Sequence, residues 1–351
     1  MAFMAPSAPT FDISPEKEAR QSSFLCRQLL ITPPEVSPQD VDLNGKTAIV
    51  TGANGGLGLE CCRHLLGLNI TRLILAVRDE SKGIAARESL AAAKRNPDAT
   101  IEVWKLDLSA YDSITSFVEH TQTLNRLDII VLNAGVFKSK FELNPSTHHE
   151  EDIQVNYLST VLLTILLLPV IKAKNTPESP GRILLVSSET AAWAKFKEKN
   201  EKPLLAAFDK PETFDMAERY YTSKLLVQFF LSQLANYIPP SVAVIAACNP
   251  GLCYGSTLHR ETWGTIPGHI FSGFKRAIGR PLDIGARILT DGAVNHGKEI
   301  HGQYLGDCKL KPMAPLIYKP EGAKLGELLW QETMAELSFA GAENIVQDLS
   351  N

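Results

Sequence analysis

From Lys46 onward the chain repeats one pattern: a short, almost wholly apolar run, then a longer amphipathic stretch. The runs are 46–51 (KTAIVT), 72–77 (RLILAV), 100–106 (TIEVWKL), 127–132 (LDIIVL), 182–187 (RILLVS) and 241–248 (SVAVIAAC). A strand that is apolar on both faces must be covered on both sides, and the intervening helices supply that cover. With 301–306 (HGQYLG) as a seventh run, the pattern predicts an α/β fold: a doubly wound parallel sheet of about seven strands, the Rossmann arrangement. Open sheets of this kind bind ligands beyond the carboxyl ends of their strands. The residues directly after each run are therefore where chemistry is to be sought.

The run 46–51 leads into Thr51-Gly52-Ala53-Asn54-Gly55-Gly56-Leu57-Gly58, and a helical stretch follows. Glycines there let the backbone turn tightly and approach a pyrophosphate, while the helix start offers free N–H groups and a positive dipole end. The second run ends in Arg78-Asp79, with Lys82 close behind. An acidic residue at this point suits a ribose 2′-hydroxyl, and a basic one suits a 2′-phosphate. Arg78 therefore favours NADP(H) over NAD, although Asp79 stands beside it.

Tyr220 and Lys224 are four residues apart in a long helical stretch, which puts phenol and ammonium on one face. A nearby cation favours phenolate and lowers a tyrosine pKa from its reference near ~10. Such a phenol can exchange a proton with a carbonyl or alcohol oxygen. Ser187 and Ser188 close the fifth run at the same sheet edge, where a hydroxyl could hold that oxygen or simply cap a turn.

Taken together, TGANGGLG, LDLS (Asp107), LNAG (Asn133 to Gly135), QVNYLS (Asn156), VSS (Ser188), YYTSK (Tyr220, Lys224) and NPG (Asn249 to Gly251) resemble the short-chain dehydrogenase/reductase family, over roughly residues 44 to 307. The likeness is strongest to its retinol-dehydrogenase-like and fungal specialised-metabolism reductases. The resemblance implies catalytic residues Asn156, Ser188, Tyr220 and Lys224, with Ser187 as rival to Ser188. Tyr220 would be the acid/base, Lys224 would hold the nicotinamide ribose, Ser188 would orient the substrate oxygen, and Asn156 would hold a helix distortion and a relay water. It also implies a cofactor cleft of Thr51, Gly52, Asn54, Gly56, Leu57, Gly58, Arg78, Lys82, Asp107, Leu108, Asn133, Gly135, Tyr220, Lys224, Pro250, Gly251 and Thr257. Two departures stand out. Ser188 and Tyr220 are farther apart than the family usually has them, and Ser256 and Thr257 come late after the Pro-Gly.

The expected activity is NADP(H)-dependent interconversion of a ketone or aldehyde and an alcohol. Trp263, Ile266, Phe271 and Phe274 after the sixth run suggest a bulky, mostly apolar substrate such as a polyketide, terpenoid or retinoid-like carbonyl compound. The alternatives are a nucleotide-binding protein without redox turnover (a cyclase, isomerase or redox-sensing partner) and an NAD-dependent oxidation.

Composition narrows the rest. The chain has 351 residues, 44% hydrophobic, with Lys+Arg 35 against Asp+Glu 39 and a net charge of −4. It is neither disordered nor basic enough to seek nucleic acid. The six cysteines form no C-x-x-C pair, so a reducing, cytoplasmic setting without metal is expected. No leader peptide is read in the first residues. The most apolar stretch, Leu158 to Ile171, is broken by Ser159, Thr160, Thr164 and Pro169 and reads as a buried helix, not a membrane span. His148 to Asp152 reads as a solvated helix start, not a metal site. In outline the chain divides into an N-terminal extension (1–44), a catalytic domain (45–310) with inserts near 189–219 and 254–285, and a C-terminal helical segment (311–351). The inserts are expected to be lids or pocket walls. The apolar faces of the helices near 158–171 and 220–238 suggest a homodimer, with the N-terminal tail as a rival cover.

Overall fold

The computed structural model describes residues 11–350. The first ten residues, on which the leader reading rests, lie outside it. The strands are β1 (Thr47–Thr51), β2 (Arg72–Val77), β3 (Thr100–Lys105), β4 (Ile129–Leu132), β5 (Gly181–Val186), β6 (Ala243–Asn249), β7 (Tyr304–Gly306) and β8 (Lys309–Lys311). They form one sheet in the order β3-β2-β1-β4-β5-β6-β7-β8. The first seven run parallel, as the apolar runs require. β8 was not anticipated: it pairs antiparallel with β7 through a tight turn at Asp307 and Cys308, both with positive φ (53° and 59°). The strand order reverses between β1 and β4, so a crevice opens beyond Thr51 and Leu132.

Helices cover both faces. One face carries α2 (Gly56–Gly67), α3 (Glu80–Leu90) and α8 (Leu282–Val294) over Leu73, Leu75, Val131 and Leu184. The other carries α4 (Tyr111–Thr121), α5 (Glu151–Lys174) and α6 (Met216–Tyr237) over Ile49, Ile74, Ile130 and Ile245. Outside these lie α1 (Gln21–Leu30), α7 (Ile266–Ile278), α9 (Pro320–Glu336) and α10 (Ala342–Leu349). α5 is the one described helix long and apolar enough to cross a membrane, and 89% of its apolar window is buried inside the protein.

The cover suggested for the N-terminal tail is supplied by the C-terminal helices instead. α9 packs on α6, and α10 on α5. Trp330 of α9 stacks on Phe230 and Tyr237, and Thr333 meets the Tyr157 hydroxyl at 2.7 Å. The apolar faces on which a homodimer was expected are therefore covered by the chain's own C-terminal helices. The N-terminal extension instead crosses the carboxyl edge of the sheet. Of the 189–219 insert, expected to be a lid or a pocket wall, Phe196, Leu204, Leu205 and Phe208 are buried in the core beside α6 and α9. Its apolar side chains explain why, since they gain more by burial than a flap could offer.

Candidate active site

Of the longer helices, α1, α4, α8, α9 and α10 begin without a side-chain cap. α3, α6 and α7 begin on side-chain caps, Asp79, Asp215 and Thr265, which accept from backbone N–H groups of the first turn. α2 begins on Gly55 with no side-chain cap. Its leading N–H groups thus point unclaimed by any side chain into the crevice, where an anion can take them. Gly52 and Gly56 have φ of +65° and +60°, which other residues adopt only under strain. Gly58 permits contact: a Cβ there would lie 2.6 Å from Asn133 Nδ2 and 2.7 Å from Gly52 O. Asn133 Nδ2 donates to Thr51 O (2.9 Å), and Ala134 N donates to Thr51 Oγ1 (2.9 Å), locking β4 to the turn. Asn54 is exposed and Leu57 half-buried on the first helical turn. This bare, glycine-lined cradle fits a dinucleotide pyrophosphate.

At the end of β2, Arg78 is exposed and makes no ion pair or side-chain hydrogen bond among the described residues. Asp79 is occupied. Its Oδ1 accepts from Ser81 Oγ (2.6 Å), Ser81 N (3.1 Å) and Lys82 N (3.3 Å), and these bonds, the Ser81 hydroxyl's foremost, hold it down to about 2. Lys82 Nζ lies 3.5 Å from it. Asp107 follows β3 and accepts from Ser109 N at 3.0 Å, while the Leu108 side chain is buried in the core. Only the backbone of Leu108 is therefore available to a ligand.

The catalytic candidates converge from three elements. α5 contains a π-helical turn, Gln154–Leu158, with Asn156 inside it. Asn156 bridges the chain after β4: Val136 N donates to its Oδ1 (2.8 Å) and its Nδ2 donates to Val136 O (2.9 Å) and Ser223 Oγ (3.1 Å). A Cβ on Gly135 would come within 2.9 Å of Asn156 Oδ1 and 3.5 Å of Lys224 Nζ, so these three residues crowd one point. Lys224 Nζ donates to Val186 O (3.0 Å) and stands 5.7 Å over the Tyr220 ring. The Tyr220 hydroxyl has no hydrogen-bond partner among the described residues.

The electrostatics differ from the spacing argument. Lys224 was expected to lower the Tyr220 pKa, but burial, aided by the Asp152 carboxyl, pushes the phenol up. Burial also pushes Lys224 down to about 8. Desolvation of both groups outweighs their mutual effect at this separation. Asp152 itself is fully buried, pushed up by burial, and lies on α5 one turn before Asn156, with Oδ1 3.4 Å from Asn156 Nδ2.

The two serines divide. Ser187 is buried and donates to Lys224 O at 3.1 Å. Ser188 is half-buried and accepts from Thr190 N (3.2 Å) and Thr190 Oγ1 (2.9 Å), which leaves its own proton to give. It does not hydrogen-bond Tyr220. Thr257 is exposed and, among the described residues, only its backbone carbonyl is bonded, accepting from Arg260 N (3.1 Å), whereas Ser256 lies against the glycine turn, 3.8 Å from where a Gly56 Cβ would be. Gly251, after Pro250, has φ +76°.

Sequence reasoning missed the wall around Tyr220. Phe137 packs on Tyr220 (ring centroids 5.2 Å apart) and on His259 (4.6 Å), and His259 meets Phe271 at 5.0 Å. Of the four apolar loop residues expected to face a ligand, Phe271 joins this wall through His259. Trp263, Ile266 and Phe274 are 57%, 79% and 47% exposed. Glu261 holds this loop closed: Lys138 Nζ is 2.6 Å from its Oε1 and Ser139 N 2.9 Å from its Oε2.

A family model described as short chain dehydrogenase matches residues 46–198. A short-chain dehydrogenase of Aspergillus ruber is 51% identical over 347 residues, 98% of this chain and 99% of its own length. A short chain dehydrogenase/reductase of Annulohypoxylon moriforme is 43% identical over 90% of this chain and 91% of its own. Among solved structures, the NADP-bound 3-oxoacyl (acyl-carrier-protein) reductase of Agrobacterium tumefaciens aligns with TM-score 0.57 at 18% identity, covering 77% of this chain and 96% of its own. A short-chain type dehydrogenase/reductase from Mycobacterium marinum aligns at 0.59 and 16% identity, covering 81% and 100%. Likeness at such identity bears on the fold alone.

Proposed function

The chain belongs to the short-chain dehydrogenase/reductase family, and on that premise we propose that it is an NADP(H)-dependent oxidoreductase of fungal specialised metabolism. It interconverts a ketone or aldehyde and an alcohol on a bulky, mostly apolar small molecule. The observation that carries this reading is the Tyr220 phenol. It is free of protein hydrogen bonds, walled by Phe137, and 5.7 Å (ring centroid) from the Lys224 ammonium, at the sheet edge that holds the uncapped glycine cradle.

A bound nicotinamide supplies or accepts the hydride at the substrate carbon. Tyr220 holds the proton that the substrate oxygen gains or loses. Its raised pKa keeps that proton on the phenol until the oxygen carries negative charge. Ser188 donates its remaining O–H to the same oxygen and fixes its position. Lys224, pushed down to about 8, is poised to pass a proton near neutral pH. Asn156 holds Val136 and hence the floor of the cleft. Phe137, His259 and Phe271 exclude water and present apolar surface to the substrate.

The NADP preference rests on Arg78, exposed and unpaired while Asp79 is committed to capping α3. Arg78→Ala should weaken NADPH binding about tenfold or more and leave NADH binding unchanged, because a charge-assisted contact is worth about 1.5–3 kcal/mol. Tyr220→Phe should abolish NADPH oxidation against a panel of bulky carbonyl compounds while nucleotide still binds. Undiminished turnover in that variant would overturn the redox assignment.

A further inference from the structure

We propose that the N-terminal helix α1 is a positioning element of the nicotinamide end of the site, with Gln28 as its clamp. The helix lies ahead of the residues the family model matches. It nevertheless reaches the turn after Pro250 and Gly251, which the family resemblance puts at the nicotinamide end of the cleft. Gln28 Nε2 donates to Leu252 O (2.8 Å), and Leu252 N donates back to Gln28 Oε1 (3.1 Å). That N–H has no other acceptor among the described residues. Gln28 is only 7% exposed, so both bonds are shielded from water. Gly251 makes the approach possible: a Cβ there would stand 2.8 Å from Gln28 Oε1 and 3.1 Å from Arg280 Nη1.

The same helix grips two more segments of the site. Arg27 pairs with Glu189, the residue after Ser188, at 2.8 Å, and with Glu18 at 3.0 Å. Arg280 donates to Arg27 O (3.1 Å) and Ile31 O (3.2 Å), pairs with Asp307 at 2.6 Å, and hydrogen-bonds Leu252 O through its own backbone N–H (2.8 Å). Phe24 packs edge-on against Trp193, whose Nε1 donates to Ala19 O. α1 thus ties together the start of the Ser188 segment and the Pro250-Gly251-Leu252 turn, two pieces of chain that the sheet leaves as separate loops. Loops that must hold a ring in register need such bracing from rigid elements.

The inference rests on the nucleotide reading above, so the test separates the two. Gln28→Met keeps the side-chain length and apolar packing but removes both hydrogen bonds. Dissociation constants are measured by titration for two pairs: NADPH against adenosine 2′,5′-bisphosphate, and NADH against ADP. The second member of each pair lacks the nicotinamide. The clamp predicts that the full dinucleotide weakens about five- to tenfold, the order of one or two lost hydrogen bonds, while the truncated probe is unchanged. Gln28→Glu, which retains only the acceptor, should fall between wild type and Gln28→Met. Equal weakening of both probes would make α1 a mere stabiliser and overturn the proposal, as would no change in either. Wild-type protein that binds none of the four probes would overturn the nucleotide reading and the clamp with it.

Discussion

Substituting Gly58 tests the cradle most directly. Its Cα faces the end of β1 across the first turn of α2, and the methyl of Gly58→Ala would lie 2.7 Å from Gly52 O and 2.6 Å from Asn133 Nδ2. A comfortable carbon–oxygen contact is about 3.3 Å, so the helix start must retreat by about 0.6 Å. No rotamer change relieves this, because Gly52 O is backbone. Overpacking of this kind costs about 1–3 kcal/mol, which lowers the melting temperature by roughly 2–10 °C in a domain of this size. The retreat also carries the α2 N–H groups away from a bound pyrophosphate, and NADPH affinity should drop about tenfold or more, the equivalent of one charge-assisted hydrogen bond. Gly67→Ala is the control on the same helix. Nothing lies within 4 Å of its Cβ position and its φ is ordinary, so it should stabilise by about 0.4–1 kcal/mol and leave binding alone. Thermal melts and nucleotide fluorescence titrations read both variants. A Gly58→Ala protein that melts and binds like wild type would refute the close-packing argument.

Ser188→Ala should lower kcat about a hundredfold and cost about 1 kcal/mol of stability through its lost bonds from Thr190, whereas Ser187→Ala should cost a similar amount through its lost bond to Lys224 O and leave kcat near wild type. His149 lies 3.0 Å from Asp209 and 3.3 Å from Glu336; burial works against its charge, but these carboxylates carry its pKa up to about 9. Its stabilisation is complete below the unfolded value near ~6.5 and is lost as pH rises through 9, so the melting temperature should fall more steeply between pH 7 and 10 in wild type than in His149→Gln. Glu261→Gln should loosen the loop over Tyr220 and raise the substrate KM about fivefold, the scale of a partly exposed ion pair, with the melt unmoved; an unchanged KM would mean the latch plays no part in closing the site.

Legibility in the sequence followed the range of the interaction. The seven parallel strands were readable because period and apolarity are local, and so was the switch-point cradle, since its glycines all fall between Gly52 and Gly58. β8 was not, because it has three residues and its turn is made by Asp307 and Cys308 at positive φ instead of the usual Asn-Gly. Tyr220 and Lys224 were readable as neighbours from one helical turn of spacing. Their electrostatics were not, because the sign is set by burial behind Phe137, which arrives from the chain after β4. Asp152 reads in the sequence as part of a solvated helix start, but the structure buries both it and Glu150, and Asp152 lies four residues before Asn156 on the same helix. Gln28 was not readable, since its partner Leu252 is 224 positions away.

The long separation of Ser188 and Tyr220 shows how a sequence departure can leave a site in place. The inserted chain turns inward at once: Trp193 takes a contact from α1, Phe196 and Phe208 enter the core, and Arg219 at 2% exposure bonds Phe208 O and pairs with Glu198 at 3.3 Å and Glu150 at 3.5 Å. Arg219 immediately precedes Tyr220, and Glu150 lies at the start of α5, two residues before Asp152. Removing one charge from such a buried cluster leaves the others uncompensated and costs about 3–5 kcal/mol. The insert is therefore wired to the first turn of α6 and to the helix that carries Asn156. Its length is absorbed by packing, and the residues flanking it are fixed from behind. The same logic runs through the C-terminal helices, where Glu332 accepts from Leu204 N and Leu205 N at 2.8 Å each and so clasps the insert from outside. Chain added to this sheet has been spent on holding the loops that border the crevice, which is why the catalytic candidates can converge although the segments between them have grown.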